Sequence, residues 1–228
     1  VIWRITPPEP ALHGSEDAAH PPFMTLLRKP DLLRLNIGVF ILYAVQIATW
    51  VALPGLLLQA GVSARDQAWV YLPAVLLSFA VMGAGLFKLE RRGLLKPVFL
   101  WSIVLVLVVE LAWSELAHRD HGLLNAWVMG LLLLVFFCGF NVLEASQPSQ
   151  ASRLAQPSVR ATVLGVYNTL QSLGIFAGGA LGGWLSKTIG VVGLFALNAA
   201  LLAVWLLAAW GMRVAPVHKS NASPPNSY

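Results

Sequence analysis

Six apolar segments occupy most of this chain, and they constrain its fold more than any other feature. Each is close to the roughly 20 residues that a helix needs to cross a bilayer core. Backbone groups at that depth find no water, so the segments are predicted to be helices. Strands would show alternation, which the run LLLLVFF at 131–137 lacks. The predicted spans are 36–58, 68–87, 97–116, 123–144, 162–185 and 190–211.

Composition supports a membrane protein and excludes several classes of function. Charged residues are 11% of the 228, whereas soluble domains carry about 25%. The net charge of +5 is spread between apolar runs and forms no basic patch, so no nucleic-acid partner is expected. No Walker loop, dinucleotide fingerprint, HExxH or nucleophile elbow is present. We therefore predict no enzymatic activity, no cofactor and no metal site.

The distribution of basic residues predicts the orientation of the spans. Three of the fifteen Lys and Arg residues, Arg65, Arg119 and Lys187, fall on one side, and the other twelve fall on the side that holds both ends. This excess predicts that both termini are cytoplasmic. The predicted organisation is a cytoplasmic linker at 1–35, beginning with the end of a preceding helix, a six-helix bundle at 36–211 and a short polar cytoplasmic tail at 212–228.

Tryptophan positions are consistent with this orientation. Such residues concentrate where a helix meets the membrane surface. Trp50 fits neither surface, because it lies in the middle of the first span. The predicted outer set is Trp69, Trp113, Trp127 and Trp184, and the inner set is Trp3, Trp101 and Trp210.

The first span carries a polar and aromatic stripe. Tyr43, Gln46 and Trp50 are spaced three and four apart, with Pro54 a turn beyond. That spacing places them on one helical face. The stripe fits a cavity that accepts amphipathic organic molecules. It also fits a helix interface with one satisfied glutamine and a proline kink.

A second stripe, formed by Asn141, Glu144 and Pro148, lies near the cytoplasmic end of the fourth span. A carboxyl group inside a membrane marks a pathway or a paired group. One interpretation is a protonatable switch in a proton-coupled cycle. The other is a cytoplasmic gate in which Glu144 pairs with Arg91, Arg153 or Arg160.

The fifth predicted helix combines glycines with a polar stripe. Its small residues recur every four positions, which allows close approach of a neighbouring backbone in lipid. A purely lipid-facing helix would not keep the adjacent Asn168, Gln171 and Ser172. The predicted packing residues are Gly174, Gly178, Gly179, Gly182 and Gly183.

Two further charged groups allow simple interpretations. Glu110 is predicted near the outer membrane surface, where it would reach water alongside Glu115. The basic turn from Lys88 to Lys96 either locks helix ends through charged hydrogen bonds or only follows the orientation rule.

The region of the fourth and fifth predicted spans contains FNVLEASQPSQASRL followed by RATVLGVYNTLQSLGIFAGGALGGWL. These stretches are the most specific part of a resemblance to the C-terminal six-helix half of a major facilitator superfamily transporter, nearest to the YajR-like branch of its drug-efflux-type members. Residues 174–183 look like the antiporter motif GxxxGPxxGG, with Gly179 where proline is usual. Residues 90–93 are similar to a degenerate copy of the loop motif GxLxDRxGRR, with Glu90 in the Asp position and Leu86 replacing the first glycine.

The resemblance implies spans seven to twelve of a twelve-helix fold, in which two halves rock about a central site. It also implies that the first, second, fourth and fifth helices line the cavity, that the third and sixth are peripheral, and that small molecules leave as protons enter. The expected partners are membrane lipid, a small-molecule substrate, protons and an N-terminal six-helix half. The expected location is the inner (plasma) membrane.

These observations predict an all-α polytopic membrane protein that acts in secondary transport, as a proton-coupled exporter of small amphipathic organic compounds. An importer of a small metabolite and a non-transporting membrane scaffold are the alternatives. The predicted cavity residues are Tyr43, Gln46, Trp50, Asn141, Asn168 and Gln171. The predicted gate or proton-coupling residues are Glu144, Glu90, Arg91 and Arg160.

Overall fold

The described part of the chain is helical throughout its regular structure. The computed structural model describes residues 29–91, 94–118 and 124–212, except the side chains of 84–91. The prediction of an all-α chain is confirmed for these residues, which form no strand. The helices are α1 (Pro30–Gln59), α2 (Gln67–Arg91), α3 (Leu95–His118), α4 (Ala126–Leu154), α5 (Arg160–Thr188) and α6 (Gly190–Trp210), with a 3₁₀ turn at Pro157–Val159.

Most of the helices extend beyond the apolar runs that predicted them, whereas α6 ends one residue before its predicted end. α1 starts at Pro30, a residue whose fixed φ suits the first helical position. α4 continues through Pro148 to Leu154, ten residues beyond the predicted end of the span at 144. Hydropathy shows where a segment stops being apolar enough for lipid. The helix itself can continue through the polar residues that follow.

Four described helices are long and apolar enough to cross a membrane: α1, α3, α4 and α6. The apolar part of α2 is the shorter stretch Gln67–Gly83. α5 has the length of a span, but its polar stripe and glycines lower its hydropathy. Length and composition therefore support a membrane protein, and the crossing of α2 and α5 remains a prediction.

α1 is the central helix of the described bundle. Of its apolar window, 61% is buried, against 33–44% for the other three spans that meet the length and hydropathy criterion. It packs on α4, α5 and α6, while α3 packs on α4 and α6, and α2 packs on α4. Leu42, Leu53 and Leu57 of α1 are fully enclosed. A change on α1 therefore reaches three neighbouring helices directly.

Close contact between α1 and α5 depends on glycine. A Cβ added at Gly174 would lie 2.6 Å from the Phe40 carbonyl oxygen, and one at Gly182 would lie 2.9 Å from the Ala48 Cα. A Cβ at Gly178 would collide with the carbonyl group of Ala44. Backbone atoms cannot move aside as flexible side chains do, so these three positions require glycine.

The other two glycines of the motif have more room. A Cβ at Gly179 would make ordinary contact with the Ile47 Cγ2 at 3.6 Å. Nothing lies within 4 Å of a Cβ at Gly183. Within the described bundle, the strip that contacts α1 is therefore Gly174, Gly178 and Gly182.

We predict that Gly178→Ala lowers the melting temperature of the purified protein in detergent micelles. The added methyl group forces α1 and α5 apart, and overpacking of this kind costs about 1–3 kcal/mol. Gly183→Ala is the matched control, because it gains the same helix propensity of about 1 kcal/mol without a clash. Equal melting temperatures for the two variants would contradict the glycine contact.

Candidate functional site

A hydrogen bond between α1 and α4 lies at the centre of the candidate site. The Tyr43 hydroxyl donates to Glu144 Oε1 at 2.9 Å. Tyr43 is 5% exposed, whereas Glu144 lies at the surface of the described bundle. The Tyr43 ring also packs edge-on against Phe140, with ring centroids 5.9 Å apart. The pair therefore joins a buried phenol to a carboxyl group that is exposed at the surface of the bundle. We call the exposed surface around Glu144 the open face.

α5 adds two side chains to this pair. The Gln171 side chain approaches the Tyr43 hydroxyl, and Tyr167 lies close enough to interact with both Tyr43 and Glu144. Tyr167 and Gln171 are four residues apart, hence on one face of α5. We call Tyr43, Glu144, Tyr167 and Gln171 the Tyr43–Glu144 cluster. It collects polar groups from α1, α4 and α5.

An aromatic wall lies two turns along α1 from Tyr43. Trp50 packs on Tyr71 of α2 and Phe137 of α4, with ring centroids 5.3 and 5.6 Å away. Gln46 is half-buried between Tyr43 and Trp50 along the helix. The stripe of Tyr43, Gln46 and Trp50 therefore contacts α2 and α4 at its Trp50 end and belongs to the Tyr43–Glu144 cluster at its Tyr43 end.

Two predicted cavity residues lie elsewhere. Asn141 is 5% exposed, and its Nδ2 donates to Ser78 Oγ at 2.9 Å. Ser78 in turn donates to the Val75 carbonyl oxygen at 2.6 Å. Asn141 therefore fastens α4 to α2 in this conformation. Asn168 is exposed on α5, next to Tyr167 in the sequence.

The predicted gate residues are described only in part. The side chains of Glu90 and Arg91 lie outside the described residues. Arg160 is exposed at the first position of α5, and Arg153 is half-buried in the last turn of α4. In the structure, the Glu144 carboxyl group accepts a hydrogen bond from the Tyr43 hydroxyl.

The prediction that Glu110 reaches water alongside Glu115 is wrong. Glu110 is 0% exposed. Its Oε1 accepts a hydrogen bond from Thr49 Oγ1 at 2.7 Å, and its Oε2 accepts one from Asn198 Nδ2 at 3.1 Å. Two partners on other helices hold this carboxyl group inside the bundle, which the sequence around it does not reveal.

Trp113 likewise does not belong to an outer aromatic ring. It is 0% exposed and packs on Phe136 of α4 and Phe195 of α6. By contrast, Trp69, Trp127, Trp184, Trp101 and Trp210 are all strongly exposed, as surface-facing rings would be.

Sequence reasoning missed several residues that make these contacts. Tyr167 was detectable, because it precedes Asn168 and lies four residues before Gln171. Thr49 and Ser78 carry no signal, since single hydroxyls in apolar helices usually bond to their own backbone. Asn198 is an isolated amide in the most apolar helix, and such a polar group needs a partner in lipid.

Among the described residues, no group of His, Cys, Asp and Glu side chains could hold a metal ion.

Comparisons with known proteins identify the family. A profile of the Major Facilitator Superfamily matches residues 35–227. This chain belongs to the Major Facilitator Superfamily. The resemblance that the sequence motifs indicated is thereby confirmed, and a transporter is favoured over an enzyme.

Two curated relatives are transporters by name. The chain is 34% identical over 195 residues to the inner membrane transport protein YajR of Escherichia coli (strain K12), covering 85% of this chain and 41% of that protein. It is 28% identical over 145 residues to the uncharacterized transporter BU466 of Buchnera aphidicola subsp. Acyrthosiphon pisum (strain APS), covering 64% of this chain and 36% of that protein. The chain thus spans about two fifths of the length of these two relatives.

We predict that polar reagents reach the open face of this superfamily member in intact membranes. In a Cys138→Ser background, cysteines at Gln46 and Asn168 should react with a charged methanethiosulfonate reagent. A cysteine at Leu207 of α6 should not, although Leu207 is 76% exposed in the bundle, because lipid would surround it. A scaffold with only lipid-facing surfaces would leave all three positions unlabelled.

Proposed function

We propose that this chain is the C-terminal six-helix half of a secondary transporter that exports small amphipathic organic compounds in exchange for protons. The observation that carries the proposal is the Tyr43–Glu144 cluster, a set of polar side chains from three membrane helices with its carboxyl group on an open face. Family membership supports transport, and the open polar face supports a solute path.

The chemistry of this face favours amphipathic solutes. Trp50, Tyr71 and Phe137 offer flat apolar surfaces. Gln46 and Gln171 offer amide groups nearby, and Glu144 offers a carboxyl group. A binding surface that is mostly aromatic with a few polar groups is typical of sites for organic molecules.

Glu144 is the group that couples transport to protons in this proposal. As a carboxylate it is a strong acceptor for the Tyr43 hydroxyl, because hydrogen bonds to charged groups are stronger than neutral ones. Protonation weakens that bond and so loosens α4 from α1. Glu90, Arg91 and Arg160 complete the gate at the cytoplasmic ends of their helices.

The open face needs a matching surface to close against. A polar face in lipid is costly, so an N-terminal half with its own polar face would enclose it. The length of the curated relatives supports such a half. In this arrangement all six helices cross the inner membrane and both termini are cytoplasmic, as the basic residues predict.

We predict that Glu144→Gln and Tyr43→Phe, made in the full-length transporter that contains this half, slow proton-driven export of a fluorescent amphipathic cation from proteoliposomes. The expected loss is about tenfold or more, since a hydrogen bond to a charged group contributes roughly 1.5–3 kcal/mol. Glu115→Gln removes a carboxyl group from the exposed part of α3 and serves as the matched control.

The comparison distinguishes the proposed roles. Loss of export in the two cluster variants with normal export in Glu115→Gln is the expected result. Unchanged export in both Glu144→Gln and Tyr43→Phe would remove the cluster from the gate and from proton coupling.

A further inference from the structure

A second polar cluster lies buried where α1, α3 and α6 meet. Glu110, Thr49 and Asn198 contribute one side chain each, and none is more than 2% exposed. Thr49 Oγ1 lies 2.7 Å from Glu110 Oε1, and Asn198 Nδ2 lies 3.1 Å from Glu110 Oε2. The same Asn198 nitrogen lies 3.2 Å from Thr49 Oγ1, which closes the triangle. We call these residues the Glu110 site.

The buried residues that flank Glu110 along α3 are mostly apolar. Trp113, three residues along α3, packs between the rings of Phe136 and Phe195. Val106 and Val109 on the same helix are fully buried. Solvent therefore does not reach the carboxyl group in this conformation. An ionised carboxylate there would need a positive partner or several strong donors.

In the described part of the chain, Glu110 accepts hydrogen bonds from Thr49 and Asn198. No positively charged side chain among the described residues forms an ion pair with it. α6 carries no charged residue. Glu115, five residues further along α3, is exposed and lies on a different face. The remaining charged or titratable groups on the packed helices are Asp31, Arg34 and Tyr43 on α1, Lys96 and His118 on α3, Cys138, Glu144 and Arg153 on α4, and Arg160, Tyr167 and Lys187 on α5.

The side chains of Glu110, Thr49 and Asn198 can bind one proton in the positions that they already occupy. A neutral Glu110 donates its O–H to Thr49 Oγ1 along the 2.7 Å contact. Asn198 then gives one amide hydrogen to Glu110 Oε2 and the other to Thr49 Oγ1. In this arrangement the site binds a proton and carries no net charge.

We propose that Glu110, Thr49 and Asn198 form a proton-binding site, separate from the Tyr43–Glu144 cluster, that holds α1 against α3 and α6 while Glu110 carries the proton. Loss of the proton leaves an uncompensated charge in an apolar environment. That charge is tolerated only when water reaches it, which requires α1 to separate from α3 and α6. The proposal concerns proton occupancy and helix contact, and it holds whether or not Glu144 drives export.

Infrared spectroscopy of the protein in liposomes tests the proposal directly. At neutral pH, the spectrum of the wild type minus that of Glu110→Gln should contain the carbonyl stretching band of a protonated carboxylic acid. Labelling glutamate with ¹³C shifts that band and separates it from the new amide band. Glu144→Gln should retain the Glu110 band, which locates the proton.

Carboxylate stretching bands in place of the acid band would overturn the proposal, because Glu110 would then be ionised. A further variant guards against misfolding of Glu110→Gln. Thr49→Val removes the hydrogen-bond partner of Oε1 and keeps the side-chain shape, so the acid band should shift in frequency without being lost. A shift of a carboxylate band in this variant would also overturn the proposal.

Discussion

The close contact of α1 and α5 is the interaction on which the rest of this structure depends. Gly174, Gly178 and Gly182 let the two backbones meet where no methyl group fits. This contact brings Tyr167 and Gln171 of α5 to the hydroxyl of Tyr43. Without this contact, the polar groups of α1 and α5 would lie too far apart to form a common face. Packing in lipid has no hydrophobic drive, so such close contact must supply the association.

Two carboxyl groups of the described helices, Glu144 and Glu110, occupy opposite environments. Glu144 lies on the open face and accepts a hydrogen bond from Tyr43. Glu110 is enclosed and bonded to neutral partners on two other helices. α1 contributes to both sites, through Tyr43 on one face and Thr49 on another. A change at either carboxyl group therefore acts on the same central helix.

Local composition predicted the helices, and the small-residue spacing of α5 predicted the close contacts at Gly174, Gly178 and Gly182 but not the room at Gly179 and Gly183. Hydropathy and spacing are local properties, so one sequence suffices to read them. The partners of the buried groups are not local. Tyr43 and Glu144 are 101 residues apart, and Glu110 is 61 residues from Thr49 and 88 from Asn198. A single sequence does not reveal which faces of distant helices meet, and for this reason the burial of Glu110 and the turn of Asn141 toward Ser78 went unpredicted.

The account centres on a solute path along the open face of α1, α4 and α5. Photolabelling in proteoliposomes measures this most directly, with a diazirine derivative of tetraphenylphosphonium as the amphipathic probe and mass spectrometry to locate the label. The account predicts label on peptides that contain Tyr43, Gln46 and Gln171, and its reduction by excess unlabelled probe. Label confined to the lipid-facing surfaces of α3 and α6, with no such competition, would contradict it.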